Sequence, residues 1–383
     1  MKMLPANRVL AVVLAALLCA TQIGSARERG PRVEVSCPSN PVASLISDQK
    51  VFVYELHVTN FDLVPLSLKR LDVFADTART QPLKSFSGDA LAAMLQNIGS
   101  GMHAKSDVVI EPGKRTVLFM WIAIAGRSPT PGTLHHRLVF APTEQATEPP
   151  TESTLEDFAV SVSKDPLPPL SSPFNGGVWL VGDGADNDSP HRRSIFAIDG
   201  GIFAPERFAI DFVKVGPNGD SHQGSAKNED FWAYGEPVYA VADGEVTQTL
   251  DGIAENQPRV LPSPVTLDNI AGNFAVERIG PNRYATYAHL QNGSLAVHPH
   301  DHIRRGSLIG RVGNTGNATA PHLHFQITAT DSVLQSQGVP FVFDKFTDLG
   351  PGATFELDKH PSTPRSRLMP AGNVVVQFEK WRK

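Results

Sequence analysis

Cysteine is scarce in this sequence: 383 residues contain two, Cys19 and Cys37. No disulfide framework can therefore be expected to hold the fold. After the first thirty residues there is no long apolar run, so no helix of the ~20 residues needed to cross a bilayer is expected. Cationic excess is missing as well. The formal net charge is −5, which leaves no electrostatic footprint for nucleic acid. Charged residues make up only 19% against 41% hydrophobic, which excludes a disordered charged tail and supplies a sizeable core. There is no internal repeat, no His-Glu-x-x-His helix and no phosphate-binding glycine loop. Gly and Pro are plentiful at 31 each, and they suit short strands joined by turns. Histidine is also plentiful, with nine of 13 at position 191 or beyond.

The first residues read as an export signal. Lys2 and Arg8 precede the apolar run from Val9 to Ala20, and a polar stretch then ends in Gly24-Ser25-Ala26, a small-residue cleavage pattern. Residues 1–26 are thus expected to be a signal peptide and the protein to be exported, periplasmic or secreted, with no stable membrane span. Leu18 argues against a lipid anchor on Cys19, and cleavage leaves Cys37 alone. Residues 27–165 read as aromatic and β-branched strands, such as Val51 to Thr59 and Arg115 to Ile124, separated by turns. That pattern predicts an immunoglobulin-like β-sandwich, interrupted by a helix from Gly88 to Ile98. His135 and His136 are adjacent on a predicted strand and so face opposite sides, which marks them as structural. Residues 166–173 read as a stiff Pro-rich linker. A second β unit is expected over 174–334, with a C-terminal extension, 335–383, packed on it.

The chemistry is expected from a few positions in the second unit. In Pro321-His-Leu-His-Phe325 the two imidazoles are two residues apart, so in a strand both project to one side. A glycine-punctuated run, Gly310 to Gly316, precedes them. Tyr284 to His289 reads as a strand ending in a histidine. Asp211 sits among apolar neighbours in Arg207-Phe-Ala-Ile-Asp-Phe212, and a buried carboxylate requires a partner. That partner is either a cation held with the histidines or a salt bridge to Arg207 or Arg193. Histidines plus one carboxylate, with a position open for water, is the usual design of a hydrolytic zinc site.

Several segments in order resemble one family. They are Tyr234-Gly-Glu-Pro-Val-Tyr-Ala-Val-Ala-Asp-Gly-Glu-Val246, Gly272-Asn-Phe274 and Tyr287-Ala-His-Leu290, then Ile303-Arg-Arg-Gly-Ser-Leu-Ile-Gly310, Gly313-Asn-Thr-Gly316 and Pro321 to Phe325. Together, over about 234–327, they resemble the lysostaphin/LytM-type zinc metallopeptidases. The resemblance implies a mostly β fold class, with the N-terminal sandwich followed by a LytM-like antiparallel β metallopeptidase domain. It also implies Zn2+ as cofactor and peptide bonds of peptidoglycan as substrate. Carried over by position, Asp211 and His324 look like zinc ligands, and His322 and His289 look like the catalytic histidines around the attacking water. Any protein partner would be engaged through the sandwich.

The sequence departs from the family at Arg207. Members carry a ligand histidine four residues before the aspartate, and a permanent cation cannot ligate zinc. Either the site is degenerate, leaving a non-catalytic wall-binding or hydrolase-activating protein, or another residue replaces the ligand. His191, brought back by a hairpin between residues 193 and 207, is the first substitute, and His222 is the second. His298, His300, His302 and His360 read as surface residues, and Asp183 to Asp188 as a solvated loop.

Overall fold

The computed structural model describes residues 30–75, 80–98, 109–143, 151–167, 169–224, 226–260, 262, 264–352 and 361–381. The expected signal peptide, Cys19 and His360 lie outside them. The described chain is almost entirely β, and none of its helices is long and apolar enough to cross a membrane.

The N-terminal part consists of two five-stranded sheets. One orders Val33–Ser36, Gln49–Asn60, Arg115–Ala125 and Leu95–Asn97, with Ser44–Ile46 beside the second. The other orders Ser153–Ser161, Thr133–Pro142, Leu66–Ala75 and Lys84–Ser87, with Val109–Ile110 alongside. Strand periodicity explains how they pack. On Gln49–Asn60 the even positions Phe52, Tyr54, Leu56 and Val58 meet Leu71, Val73, Leu138 and Phe140 of the other sheet in one core. The odd positions point the other way, and Val51 and Val53 join the core of the second unit. Both faces of this strand are therefore covered, which is why its sequence is nearly continuously apolar. His136 is internal, bonded to Tyr54 Oη (2.7 Å) and to the Phe158 carbonyl (2.8 Å).

Two local expectations need correction. The helix read over 88–98 ends early: Gly88–Ala92 is helical, and Leu95–Asn97 is an edge strand paired with Arg115–Ala125. The Ala/Leu composition favours a helix, but Leu95 is buried and its backbone completes a ladder, so tertiary pairing wins over propensity. The Pro-rich segment 166–173 is not a free spacer. Pro169–Leu170 pairs in parallel with Val342 and Phe343, Leu170 is buried, and Ser171 donates from both N–H and Oγ to the Val241 carbonyl.

The second unit is built on one eleven-stranded sheet. Its path runs Pro169–Leu170, Val342–Pro351, Val374–Phe378, Gly177–Gly182, Ile210–Lys214, Leu323–Thr328, Arg283–Leu290, Asn273–Gly280, Gly244–Leu250 and His302–Ile303, with Thr363–Leu368 on Val342–Pro351. The C-terminal strands are thus woven into the sheet instead of lying against it. The four strands from Gly177–Gly182 to Arg283–Leu290 are antiparallel neighbours in the middle of the sheet. Phe212, Leu323 and Phe325 fill the core on one face, while Asp211 and His324 pair directly in register on the other. Two backbones cross beneath this region at Gly272 (φ 62°) and Gly316 (φ 73°), where a Cβ on Gly316 would lie 2.2 Å from the Gly272 nitrogen. Only glycine fits such an approach.

One buried acid stands in this sheet away from the histidines. Glu277 accepts a 2.6 Å bond from Tyr287 Oη, which in turn accepts from the Val241 N–H at 2.9 Å. Glu277 Oε1 finds no hydrogen-bond partner among the described residues. Burial pushes the carboxyl up from 4.5 to about 7, and the Tyr287 bond only partly opposes this. A carboxyl that holds its proton more tightly when folded stabilises the fold fully below its unfolded value. That contribution, about 3 kcal/mol for a shift of this size, is lost as pH rises through about 7. Glu277→Gln should therefore flatten the stability curve between pH 4.5 and 8 and melt above wild type at pH 8. Urea unfolding at a series of pH values tests this, and parallel wild-type and variant curves would disprove it.

Candidate metal centre

Three side chains converge on one point. Among the described residues, His191, Asp211 and His324 form the group of three whose ligand atoms all lie within 4.8 Å of one another. Asp211 Oδ1 is 3.0 Å from His324 Nδ1 and 3.5 Å from His191 Nε2, and Oδ2 is 3.4 Å from His322 Nε2. His289 completes the cluster, with its ring centroid 4.8 Å from that of His322 and 5.7 Å from that of His324. All five line a cleft of about 410 Å³ whose other walls include Phe196, Glu206, Ile270, Thr319 and Leu334.

Each imidazole is fixed by a hydrogen bond on the nitrogen that faces away from Asp211 or out of the cluster. His191 donates from Nδ1 to the Asp183 carbonyl (2.9 Å), His289 from Nδ1 to the Thr315 carbonyl (2.7 Å), and His322 from Nδ1 to the Ala320 carbonyl (2.8 Å). His324 runs the other way, donating from Nε2 to Gln326 Oε1 at 2.9 Å. A proton committed to an outward bond leaves the second nitrogen with a lone pair. For His191 and His322 that nitrogen is Nε2; His324 differs, because its Nδ1 donates in turn to Asp211 Oδ1 at 3.0 Å. The His322 Nε2 is buried and makes no hydrogen bond.

The electrostatics agree with this picture. Burial alone would raise the Asp211 pKa, but His322, His191 and the bond from His324 outweigh it and hold the carboxyl well below the usual range. His289 is held well below the ordinary histidine value, chiefly by burial and then by its histidine neighbours, so its ring is neutral. His324 is lowered by burial but raised more strongly by its bond to Asp211. An ionised carboxylate facing the Nε2 atoms of His191 and His322, with His324 Nδ1 offering a third lone pair once its proton gives way to a cation, is a donor set that fits a small divalent cation of the zinc type.

The structure shows where the arginines near Asp211 go. Neither Arg207 nor Arg193 pairs with Asp211. Arg207 turns away and is 3% exposed. Its Nη2 bonds Glu55 Oε2 at 2.5 Å and Gln337 Oε1 at 2.7 Å, and its Nη1 bonds the Gly338 carbonyl at 2.8 Å. Arg193 meets Asp188 at 3.0 Å. His191 enters from a helical turn, Pro190–Arg193. The hairpin between residues 193 and 207 is present as Phe196–Ile198 and Gly201–Phe203. His222 lies elsewhere, against the Phe231 ring. His298 and His300 are exposed and approach Asp301 and Glu245. Sequence reasoning missed Gln326, although the spacing that pairs His322 with His324 extends one step further to it. The carbonyls of Asp183, Thr315 and Ala320 leave no mark in a sequence.

Similarity to known proteins agrees with the core of this unit. Residues 226–336 match the model of Peptidase family M23. The segment is a Peptidase family M23 domain. It contains His289, His322 and His324, while His191 and Asp211 lie before its start. The chain is 34% identical over 93 residues to peptidoglycan DD-endopeptidase ShyA of Vibrio cholerae, covering 24% of this chain and 17% of that protein. It is 29% identical over 143 residues to glycyl-glycine endopeptidase ALE-1 of Staphylococcus capitis, covering 37% and 33%. The chain thus spans a third or less of the relatives it matches. A zinc containing peptidase from Vibrio cholerae aligns over 76% of this chain and 79% of its own, at 15% identity and a TM-score of 0.27, a likeness too slight to bear on function.

Glu55 also accepts from the Arg192 Nη1, so one buried carboxylate lies between two buried guanidiniums. The two arginines hold it down to about 2 against the opposing effect of burial. Glu55→Gln should leave both cations uncompensated and cost about 3–5 kcal/mol. Urea unfolding of the full chain measures the loss, and a change below 1 kcal/mol would show that the pair behaves like a surface contact.

Proposed function

We propose that this protein is an exported zinc metalloendopeptidase that hydrolyses peptide bonds in peptidoglycan stems or cross-bridges. The observation that carries the proposal is the convergence of His191, Asp211 and His324, with His289 and His322 facing the same cleft. His191 through Nε2, Asp211 through its carboxylate and His324 through Nδ1 would hold the metal. Zinc bound there would polarise a scissile carbonyl and bring the pKa of a water near neutrality.

The remaining chemistry belongs to the chain. Asp211, ionised far below neutral pH, supplies the one formal charge of the ligand set. His289 is neutral with its Nδ1 proton given to Thr315, so Nε2 is left to take a proton from water and return it to the leaving amine. His322, pinned by Ala320, keeps Nε2 as a second site for a proton or for charge developing on the carbonyl oxygen. The walls of Ile270, Phe196 and Leu334 limit the water around these groups.

The rival reading, a non-catalytic wall-binding or hydrolase-activating protein, was motivated by Arg207. Its engagement by Glu55, together with the closeness of His191 to Asp211, favours catalysis. The substrate class follows the relatives, whose names specify peptidoglycan and glycyl-glycine bonds. Export follows from the leader read at residues 1–26, because such a substrate lies outside the cytoplasm.

Purified protein is expected to carry one zinc per chain and to release soluble fragments from isolated sacculi. Chelation should abolish the release and added zinc restore it. His324→Ala should lose both metal and activity. His289→Ala and His322→Ala should keep the metal and lose about 10²–10⁴-fold in kcat. Wild-type protein free of metal, or full turnover by the His324 variant, would sink the proposal. Cell fractionation checks export.

A further inference from the structure

We infer that Glu55, on the N-terminal sandwich, is a positioning residue of the metal site, and that it acts through Arg192 to hold the turn that carries His191. The inference rests on the zinc reading above and adds the sandwich as a working part of the centre.

The five site residues are not held alike. Asp211 and His324 are paired in register on neighbouring antiparallel strands, His289 follows the last pair of the next ladder and is tied through its backbone to Ala271 and Gly313, and His322 directly precedes one of these strands. His191 has no ladder. It sits in a four-residue helical turn, Pro190–Arg193, and the next two side chains reach across to the sandwich. Arg192 is 1% exposed. It donates to the Glu55 carboxylate and, from Nη2, to the Tyr54 carbonyl at 2.8 Å, and it lies 4.8 Å over the Phe119 ring. Arg193 stacks on the same ring at 4.6 Å and donates to the Ala93 carbonyl at 2.9 Å. Asn187, at the start of the same loop, donates to the Phe119 carbonyl at 3.1 Å. Every one of these acceptors and rings belongs to the sandwich. Among the described residues, the hydrogen bonds that hold the turn within its own unit are short-range: Ser189 and His191 donate to the Asp183 carbonyl, and Arg193 to the Asn187 carbonyl and Asp188. Glu55 also holds Arg207, at the position where related domains place the ligand. One carboxylate thus withdraws the residue that cannot bind metal and secures the turn bearing the one that can.

The Arg192→Met variant keeps Glu55 paired with Arg207, so no buried carboxylate is orphaned. Zinc affinity of the full-length wild type, R192M, H191A and the R192M/H191A double variant is measured by competition with a chromophoric chelator. The melting temperature of each metal-stripped protein reports folding. R192M is expected to fold and to bind zinc about 10–100-fold more weakly than wild type, the usual effect of losing an outer partner of a ligand. Added to H191A, the same change should alter affinity by no more than about twofold, because Arg192 acts through His191. Wild-type affinity in folded R192M overturns the inference, as does a full loss that persists without His191. If R192M does not fold, R192K carries the same cycle. It keeps a cation but not the fork that reaches both Glu55 and Tyr54, and wild-type affinity there is equally fatal. A wild type that binds no zinc fails differently, because H324A is then indistinguishable from it, and the zinc reading itself falls.

Discussion

A single carboxylate, Glu55, closed between Arg192 and Arg207 and almost wholly out of water, is the interaction on which the two halves of the molecule depend. Three charges removed from solvent are costly to desolvate, and that cost is met only if each finds partners of opposite sign and good geometry. Here the partners come from both units: the acid from the sandwich strand Gln49–Asn60, the bases from the loops that enter the site. The arrangement is therefore satisfied in one relative placement of sandwich and sheet. The apolar contacts around it, with Val51 and Val53 joining the core of the second unit, add area but little direction, since hydrophobic burial is indifferent to orientation.

The same economy of partners governs the site. Its four imidazoles are each tied by one outward hydrogen bond, three to backbone carbonyls and one to Gln326. These bonds select which nitrogen carries the proton and which is free. Asp211 then faces Nε2 of His191 and of His322 and accepts from His324 Nδ1, and burial of His289 keeps that ring neutral despite the neighbouring carboxylate. Orientation here is a property of the loops that supply the carbonyls. The tight crossing at Gly272 and Gly316 brings the Thr315 carbonyl under His289, which gives the glycine-punctuated run before the paired histidines a definite purpose.

Much of this was readable in the sequence where a short-range rule applies. Alternation marks the strands, and an interval of two places His322 and His324 on one side. The resemblance in the segments from Tyr234 to Phe325 anticipates the domain that the family model covers. What was not readable is what depends on distant partners. Arg207 stood out as a departure, but nothing near it in sequence names Glu55, 152 residues away. The apolar strand Val51 to Thr59 was recognised as a strand, while the destination of its second face was not. The early end of the helix after Ala92 has the same origin, because the ladder that claims Leu95–Asn97 is offered by a strand beginning at Arg115. The Pro-rich segment reads as a spacer because such stretches are stiff and extended, yet Pro169–Leu170 occupies the edge of the sheet, where proline is tolerated.

The substitution at Arg207 then acquires a physical sense that neither drift nor loss of function supplies. An arginine left beside Asp211 would neutralise the carboxylate and occupy the space of a metal ligand. Turned outward, it needs a buried anion and several acceptors, and Glu55, Gln337 and the Gly338 carbonyl provide them. That anion can hold a second guanidinium, and the one it holds is adjacent in sequence to His191. A ligand supplied from a short helical turn would lose precision unless something rigid gripped the turn. The strand that carries Glu55 is covered on both faces and paired along its length with Arg115–Ala125, which makes it as rigid a support as the molecule contains. On the proposed zinc reading, the arginine at 207, the histidine at 191 and the sandwich domain are one structural solution.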